Sequence, residues 1–224
     1  MSDTMKLETW KWAAAFGLGL VVSLQAQVSV TPHNLNNAGV AVAGMQVCKP
    51  CHTPHGAMTN GTSAPLWNHT LDDGATYALY NSSPTYSGPF RANYSALDEA
   101  SKLCLSCHDG VTAIDSYGGA TGTHFITGNM MIGQDLMNDH PVGLKYPGMN
   151  GTTWTPVADF HDPTSSTFGA DGIGAAKGVQ LVTLPNLDQG VGCRSCHHSH
   201  NDTLGKFLRT SNSRSLLCLK CHVK

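Results

Sequence analysis

Along most of this chain the apolar residues follow no fixed period. Glycine, serine, threonine and asparagine fill the gaps between short apolar runs, as in MTNGTSAP and NSSPTYSGP. Such stretches are turn and loop signals. Three segments stand apart. SALDEASKLCLSCH places Ser95 as an N-cap with Asp98 three residues on, followed by good helix formers, which predicts a helix. SNSRSLLCLKCH, near the C-terminus, predicts a similar one. GVQLVTLP, from Gly178, alternates as a short strand does. The expectation is a mostly irregular fold with short α-helices and minor β-structure.

The N-terminal pattern has a different meaning. Lys6 and Lys11 precede an apolar run from Ala13 to Leu24, the length of a signal-peptide core and short for a bilayer span. Residues 1–26 are therefore expected to be a signal peptide cleaved after Ala26, leaving 27–224 as the mature chain. An uncleaved anchor is the alternative. No other apolar stretch is long enough to span, so stable membrane insertion after processing is not expected.

Charged residues make up 12% of the chain and the formal net charge is -2, with no basic patch for nucleic acid. So little charge gives little self-repulsion, which permits self-association.

The chemistry lies in the 8 cysteines. They form four C-x-x-C-H units: Cys48, Cys51 and His52; Cys104, Cys107 and His108; Cys193, Cys196 and His197; Cys218, Cys221 and His222. None is left over, unlike a disulfide framework scattered through loops. Zinc would need two pairs per tetrahedral site and has no use for a histidine beside each pair. A redox dithiol belongs in a βαβ pattern, absent here. Covalent haem c uses every residue: both sulfurs join the porphyrin and the histidine binds iron. Four haem c groups are expected, one per unit. They would also supply the apolar core that so much loop lacks, so the haem-free chain is expected to be largely unfolded.

The units fall into two halves, about 27–111 and 135–224. Each holds a lone histidine, a C-x-x-C-H-x-x-H unit and a plainer unit preceded by leucine. After the four proximal histidines, eight others remain for the opposite faces of the irons. His55 and His200, three residues after His52 and His197, sit where one turn can serve two irons. His33 and His140 open the halves and complete the set, with His69 as competitor for one place. His124, His161 and His198 are read as non-ligating. Methionine ligation by Met58, Met130, Met131, Met137 or Met149 is the other possibility, and bis-histidine sites imply lower potentials.

CKPCHTPHG, APLWNHT, LCLSCHDG, NDHPVG and LLCLKCH, in that order, resemble the doubled C-x-x-C-H multihaem cytochromes. Within them the chain is similar to the extracellular tetrahaem filament-forming cytochromes of the OmcE type, from about His33 to the C-terminus. The resemblance implies a haem-cored fold, identical subunits polymerised end to end, and a continuous haem chain. It also implies an axial histidine donated across the subunit joint, a role His33 matches by position. Other redox proteins or extracellular electron acceptors would be further partners.

Electron conduction without an enzymatic site is thus the leading expectation, secreted or at the cell surface. The alternatives are a monomeric periplasmic shuttle and a multihaem oxyanion reductase. The reductase would need one iron with an open distal position, which no motif marks.

Overall fold

The computed structural model describes residues 27–58, 66–71, 77–80, 96–170 and 178–224. The expected signal peptide and Ser95 lie outside these residues. Most of the described chain is turn and irregular backbone, as the sequence pattern predicts. Its longest regular element is helix α1, Glu99–His108. A single turn, α2, covers Cys193–Cys196.

Helix α1 begins later than the cap expected at Ser95. Asp98 is the N-cap, its carboxylate accepting the Ser101 N–H at 3.0 Å. A carboxylate at this position satisfies an otherwise orphaned donor and sits favourably at the positive end of the helix dipole. The helix stops at the motif histidine, where the Asp109 N–H closes on the Leu105 carbonyl at 2.8 Å. Gly110, at φ 75°, then takes the left-handed conformation that turns the chain away.

The C-terminal segment does not form the expected helix. It forms two 3₁₀ turns, Ser213–Ser215 and Cys218–Lys220. Arg214 and Ser215 have φ of 53° and 61°, which a continuous helix cannot contain. Local competition explains the break: the Ser211 hydroxyl accepts the Ser213 N–H at 3.2 Å, offering the backbone a turn instead.

Five short strands are found among the described residues. β1 (Leu144–Lys145), β4 (Val182–Thr183) and β5 (Gln189–Val191) form an antiparallel sheet in the order β1-β5-β4. β2 (Met149–Asn150) pairs with β3 (Thr153–Trp154) as a separate hairpin. The alternating GVQLVTLP run therefore yields only two paired residues. Gly190 marks how close β1 comes, since a Cβ there would stand 2.5 Å from the Leu144 carbonyl oxygen.

Apolar packing is sparse. Leu97, Leu105 and Leu136 form a buried cluster, flanked by Tyr77, Leu79 and Val142. Tyr146 meets Phe160 and Phe168 edge-on, with ring centres 5.6 and 6.1 Å away. Phe125, Met130, Met131 and Ile132 are exposed. A chain of this length that ordered itself on side chains alone would bury a larger continuous core. Among the described residues, no helix is long and apolar enough to cross a membrane.

Candidate functional site

The four cysteine motifs share one backbone shape despite different surroundings. The histidine N–H closes a helical turn onto the first cysteine carbonyl, at 2.8 Å for His52, 3.0 Å for His197 and 3.0 Å for His222. Cys104–His108 forms the last turn of α1. Residues three and four apart on such a turn share a face, so two sulfurs and one imidazole are presented together. No disulfide joins the eight cysteines.

Three of these turns are locked by the same two-bond ladder. Around the first motif, Asn68 N–H donates to the Cys51 carbonyl (2.9 Å) and Thr53 N–H to the Leu66 carbonyl (2.9 Å). Around the third, Arg209 N–H donates to Cys196 (2.8 Å) and His198 N–H to Phe207 (2.7 Å). Around the fourth, His161 N–H donates to Cys221 (2.9 Å) and Val223 N–H to Asp159 (3.0 Å). Each ladder pairs the motif histidine with an apolar residue: His52 with Trp67, His197 with Leu208, His222 with Phe160. The second motif differs, because α1 already holds it; there the His108 carbonyl accepts from Ile132 N–H at 2.8 Å.

A side chain then pins each ladder. Asn68 Nδ2 donates to the Lys49 carbonyl at 2.6 Å, and Arg209 Nε to the equivalent Arg194 carbonyl at 2.7 Å. At the fourth motif the Tyr146 hydroxyl lies 2.8 Å from the His161 carbonyl and 3.2 Å from that of Cys221. Sequence reading missed these partners, because a single apolar residue between polar neighbours in a loop has no periodicity. The recurring signal is an apolar residue followed by Asn, Arg or His.

The histidines divide by what their ring nitrogens do. A carbonyl only accepts, so an imidazole nitrogen facing one must carry the proton. His108 Nδ1 meets the Met130 carbonyl at 2.7 Å, and His197 Nδ1 meets that of Lys206 at 2.8 Å. His33 Nδ1 meets the Ser199 carbonyl at 3.1 Å, and His140 Nδ1 that of Pro141 at 3.2 Å. This tether fixes the tautomer that leaves Nε2 with its lone pair for a metal. His69 is different: both its nitrogens face carbonyls, Thr70 at 2.9 Å and Ala113 at 3.1 Å, and it is 1% exposed. Its Nε2 also lies 3.4 Å from the Cys107 sulfur of the second motif, and burial lowers its pKa. His124 pairs with Asp115 at 2.8 Å, and His198 Nδ1 accepts the His200 N–H at 3.3 Å.

Three pairs of histidine rings come close among the described residues. His52 with His200 and His33 with His108, distant in sequence, have ring centres 6.1 and 6.4 Å apart; the near neighbours His198 and His200 are also 6.1 Å apart, edge to face. Two imidazoles on opposite sides of one metal ion stand about 6–6.5 Å apart, from about 2 Å per metal–nitrogen bond plus the ring radii. His33 therefore faces an imidazole of its own chain. His140 lies near His222; burial, followed by a smaller contribution from the His222 charge, lowers its pKa despite the opposing Pro141 hydrogen bond. His55 is exposed, its carbonyl accepting from the Thr53 hydroxyl at 2.8 Å, and the structure gives it no facing ring among the described residues.

Burial pushes Cys51 and Cys196 up to about 11, and Cys107 and Cys221 up to about 12, which disfavours dithiol exchange at these sulfurs. Cys104 and Cys193 share a hydrogen bond that raises the first and lowers the second. Among the described residues, no three of His, Cys, Asp and Glu converge as ligands of a small ion. Two sulfurs on one turn, a tethered imidazole beside them and a second imidazole opposite fit an iron porphyrin instead.

Residues 185–224, which hold the third and fourth motifs, match a family model described as the doubled CXXCH motif. No curated protein matches the chain. The match supports a multihaem c-type cytochrome involved in electron transfer, with haem c bound covalently through the motif cysteines.

Proposed function

We propose that the protein is a tetrahaem electron carrier in which every iron is held between two histidines. The observation that carries this reading is the pair of facing imidazoles, His52 with His200 and His33 with His108. Haem supplies a one-electron iron couple. The chain attaches, orients and caps it. In this assignment Cys48, Cys51 and His52 hold the first group, with His200 opposite. Cys104, Cys107 and His108 hold the second, with His33 opposite. Cys193, Cys196 and His197 hold the third, for which His55 is assigned by reciprocity with His200. Cys218, Cys221 and His222 hold the fourth, with His140 opposite.

With both axial positions filled, no metal site is left for substrate, so the reading is a carrier rather than an oxyanion reductase. The four groups replace the side-chain core that the described residues largely lack, which makes the fold haem-cored. The N-terminal leader pattern supports export, since haem c is attached outside the cytoplasmic membrane.

The finer form of this proposal is an extracellular polymer of identical subunits passing electrons between redox partners and external acceptors. Low charge and the exposed apolar side chains of Phe125, Met130, Met131 and Ile132 favour it over a monomeric periplasmic shuttle. His33 is assigned to its own chain's second group, and the joint between subunits is assigned to surface contacts.

Intact mass and iron analysis of the exported protein test the carrier reading: four haems per chain are expected, and zinc or fewer haems would contradict it. Electron microscopy of the secreted material separates the polymer, seen as filaments, from the shuttle, seen as single particles.

A further inference from the structure

The second and third motifs, distant in sequence, meet at one buried polar joint. Ser101 is 0% exposed and hydrogen-bonds through its hydroxyl to the Asp98 carboxylate. The same oxygen accepts the backbone N–H of Cys193 at 2.9 Å. One residue earlier, the Gly192 N–H donates to Ser195 Oγ at 3.1 Å. Asp98, Ser101 and Ser195 are all buried, and each has a partner in this network.

Gly192 is required by space and not by backbone conformation. Its φ of -135° is extended, which any residue adopts. A Cβ there would overlap Asp98 Oδ2 and stand 2.9 Å from Ser101 Oγ. The backbone of the third motif thus lies directly on the N-terminal turn of α1. Ser101 and Cys104 are three apart on that helix and share a face. Docking the Cys193 backbone on Ser101 therefore brings the start of the third motif onto the helix that carries Cys104. A fully satisfied buried polar network fixes one arrangement where a greasy contact would tolerate several.

Resting on the tetrahaem reading above, we propose that Asp98, Ser101 and Gly192 are positioning residues that set the mutual orientation of the second and third haem groups. They do so by fixing the start of the third motif on the helix that carries Cys104. Bound haem would supply a one-electron iron couple, and the joint would set how two such groups face one another for electron exchange. The joint controls how the two groups face one another; it does not control whether they attach.

The experiment uses purified holoprotein and the haem circular-dichroism couplet in the Soret region, which reports the relative orientation of neighbouring porphyrins. Gly192→Ala should retain four haems and a low-spin spectrum while the couplet loses intensity or changes shape. Asp98→Ala/Gly192→Ala, which removes the overlapping carboxylate, should restore the couplet to that of Asp98→Ala alone. Ser101→Ala adds no volume and should change the couplet in the same direction, so the test survives if Gly192→Ala fails to fold. Asp188→Ala, whose carboxylate bonds Gly151, Lys145 and Asn186 and no residue of the joint, should leave the couplet unchanged. Couplets identical to wild type in Gly192→Ala and Ser101→Ala would overturn the proposal, as would a double variant no different from Gly192→Ala. A wild-type protein without four haems would instead defeat the parent reading.

Discussion

The imidazoles of His52 and His200 stand 6.1 Å apart with their planes inclined by 50°. They belong to the first motif and to the turn after the third, so a haem iron held between them would join the two halves of the chain. His200 follows His197 by three residues but not on the same helical turn: His197 is extended and His200 lies in the turn after it. In the proposed assignment the two imidazoles would therefore serve different irons. Replacing His200 by alanine should convert about a quarter of the iron to high spin, while haem attachment stays complete. Electron paramagnetic resonance of the oxidised variant checks this, and an unchanged low-spin spectrum would remove His200 from the ligand set.

His69 should respond in the opposite way. Its ring is buried, with carbonyls facing both nitrogens. His69→Ala should cost about 2–3 kcal/mol of stability through unpaired carbonyls and a cavity. The spin state of every iron should stay as in wild type. Thermal unfolding beside the haem spectrum separates the two roles, and a new high-spin fraction would make His69 a ligand after all.

The ladder pins give a graded pair. Asn68→Ala removes one neutral hydrogen bond to the Lys49 carbonyl and should cost about 1 kcal/mol. Arg209→Ala removes guanidinium bonds to the carbonyls of Arg194 (2.7 Å) and His197 (3.0 Å) and should cost about 2 kcal/mol. Denaturant titration of the two holoprotein variants checks the order. Equal losses would mean the two pins are not built to different strengths.

Asp188 gives the acid response of the sheet region. Its carboxylate accepts from Gly151 N–H at 3.0 Å and meets Lys145 at 3.2 Å. The Gly151 hydrogen bond, with Lys145 adding to it, holds the carboxyl below its ordinary value. A depressed folded pKa contributes stability that is fully present above the unfolded pKa, about 3.8–3.9. It is lost as pH falls through the folded value. Asp188→Asn should therefore be less stable than wild type at neutral pH, and the difference should shrink in acid. Melting temperatures across that range check this; a gap that does not change with pH would contradict it.

What the sequence revealed and what it hid follow from the range of the interactions involved. Each C-x-x-C-H turn is set within five residues, and its chemistry is explicit in the residue types. The irregular character of the fold was equally plain, since Gly, Ser, Thr and Asn leave no period to read. Ser95 and Asp98 are both good caps by residue type, and the structure shows Asp98 as the N-cap, accepting the Ser101 N–H. The C-terminal helix was overestimated because the Ser211–Ser213 turn competes locally with helical hydrogen bonding. The ladders, and the meeting of Cys193 with Ser101, depend on loops that bring distant residues together. No local pattern records them. Which ring His33 lies near is likewise a tertiary fact: within the chain its ring centre is 6.4 Å from that of His108.

The most direct measurement is spin quantitation of the oxidised wild-type protein by electron paramagnetic resonance, integrated against total iron. Four low-spin irons per chain, with no rhombic or axial high-spin signal and no change on adding carbon monoxide to the reduced form, are the predicted result. A high-spin iron in the untreated protein, or a haem that binds carbon monoxide readily, would contradict the claim that histidines close every axial position.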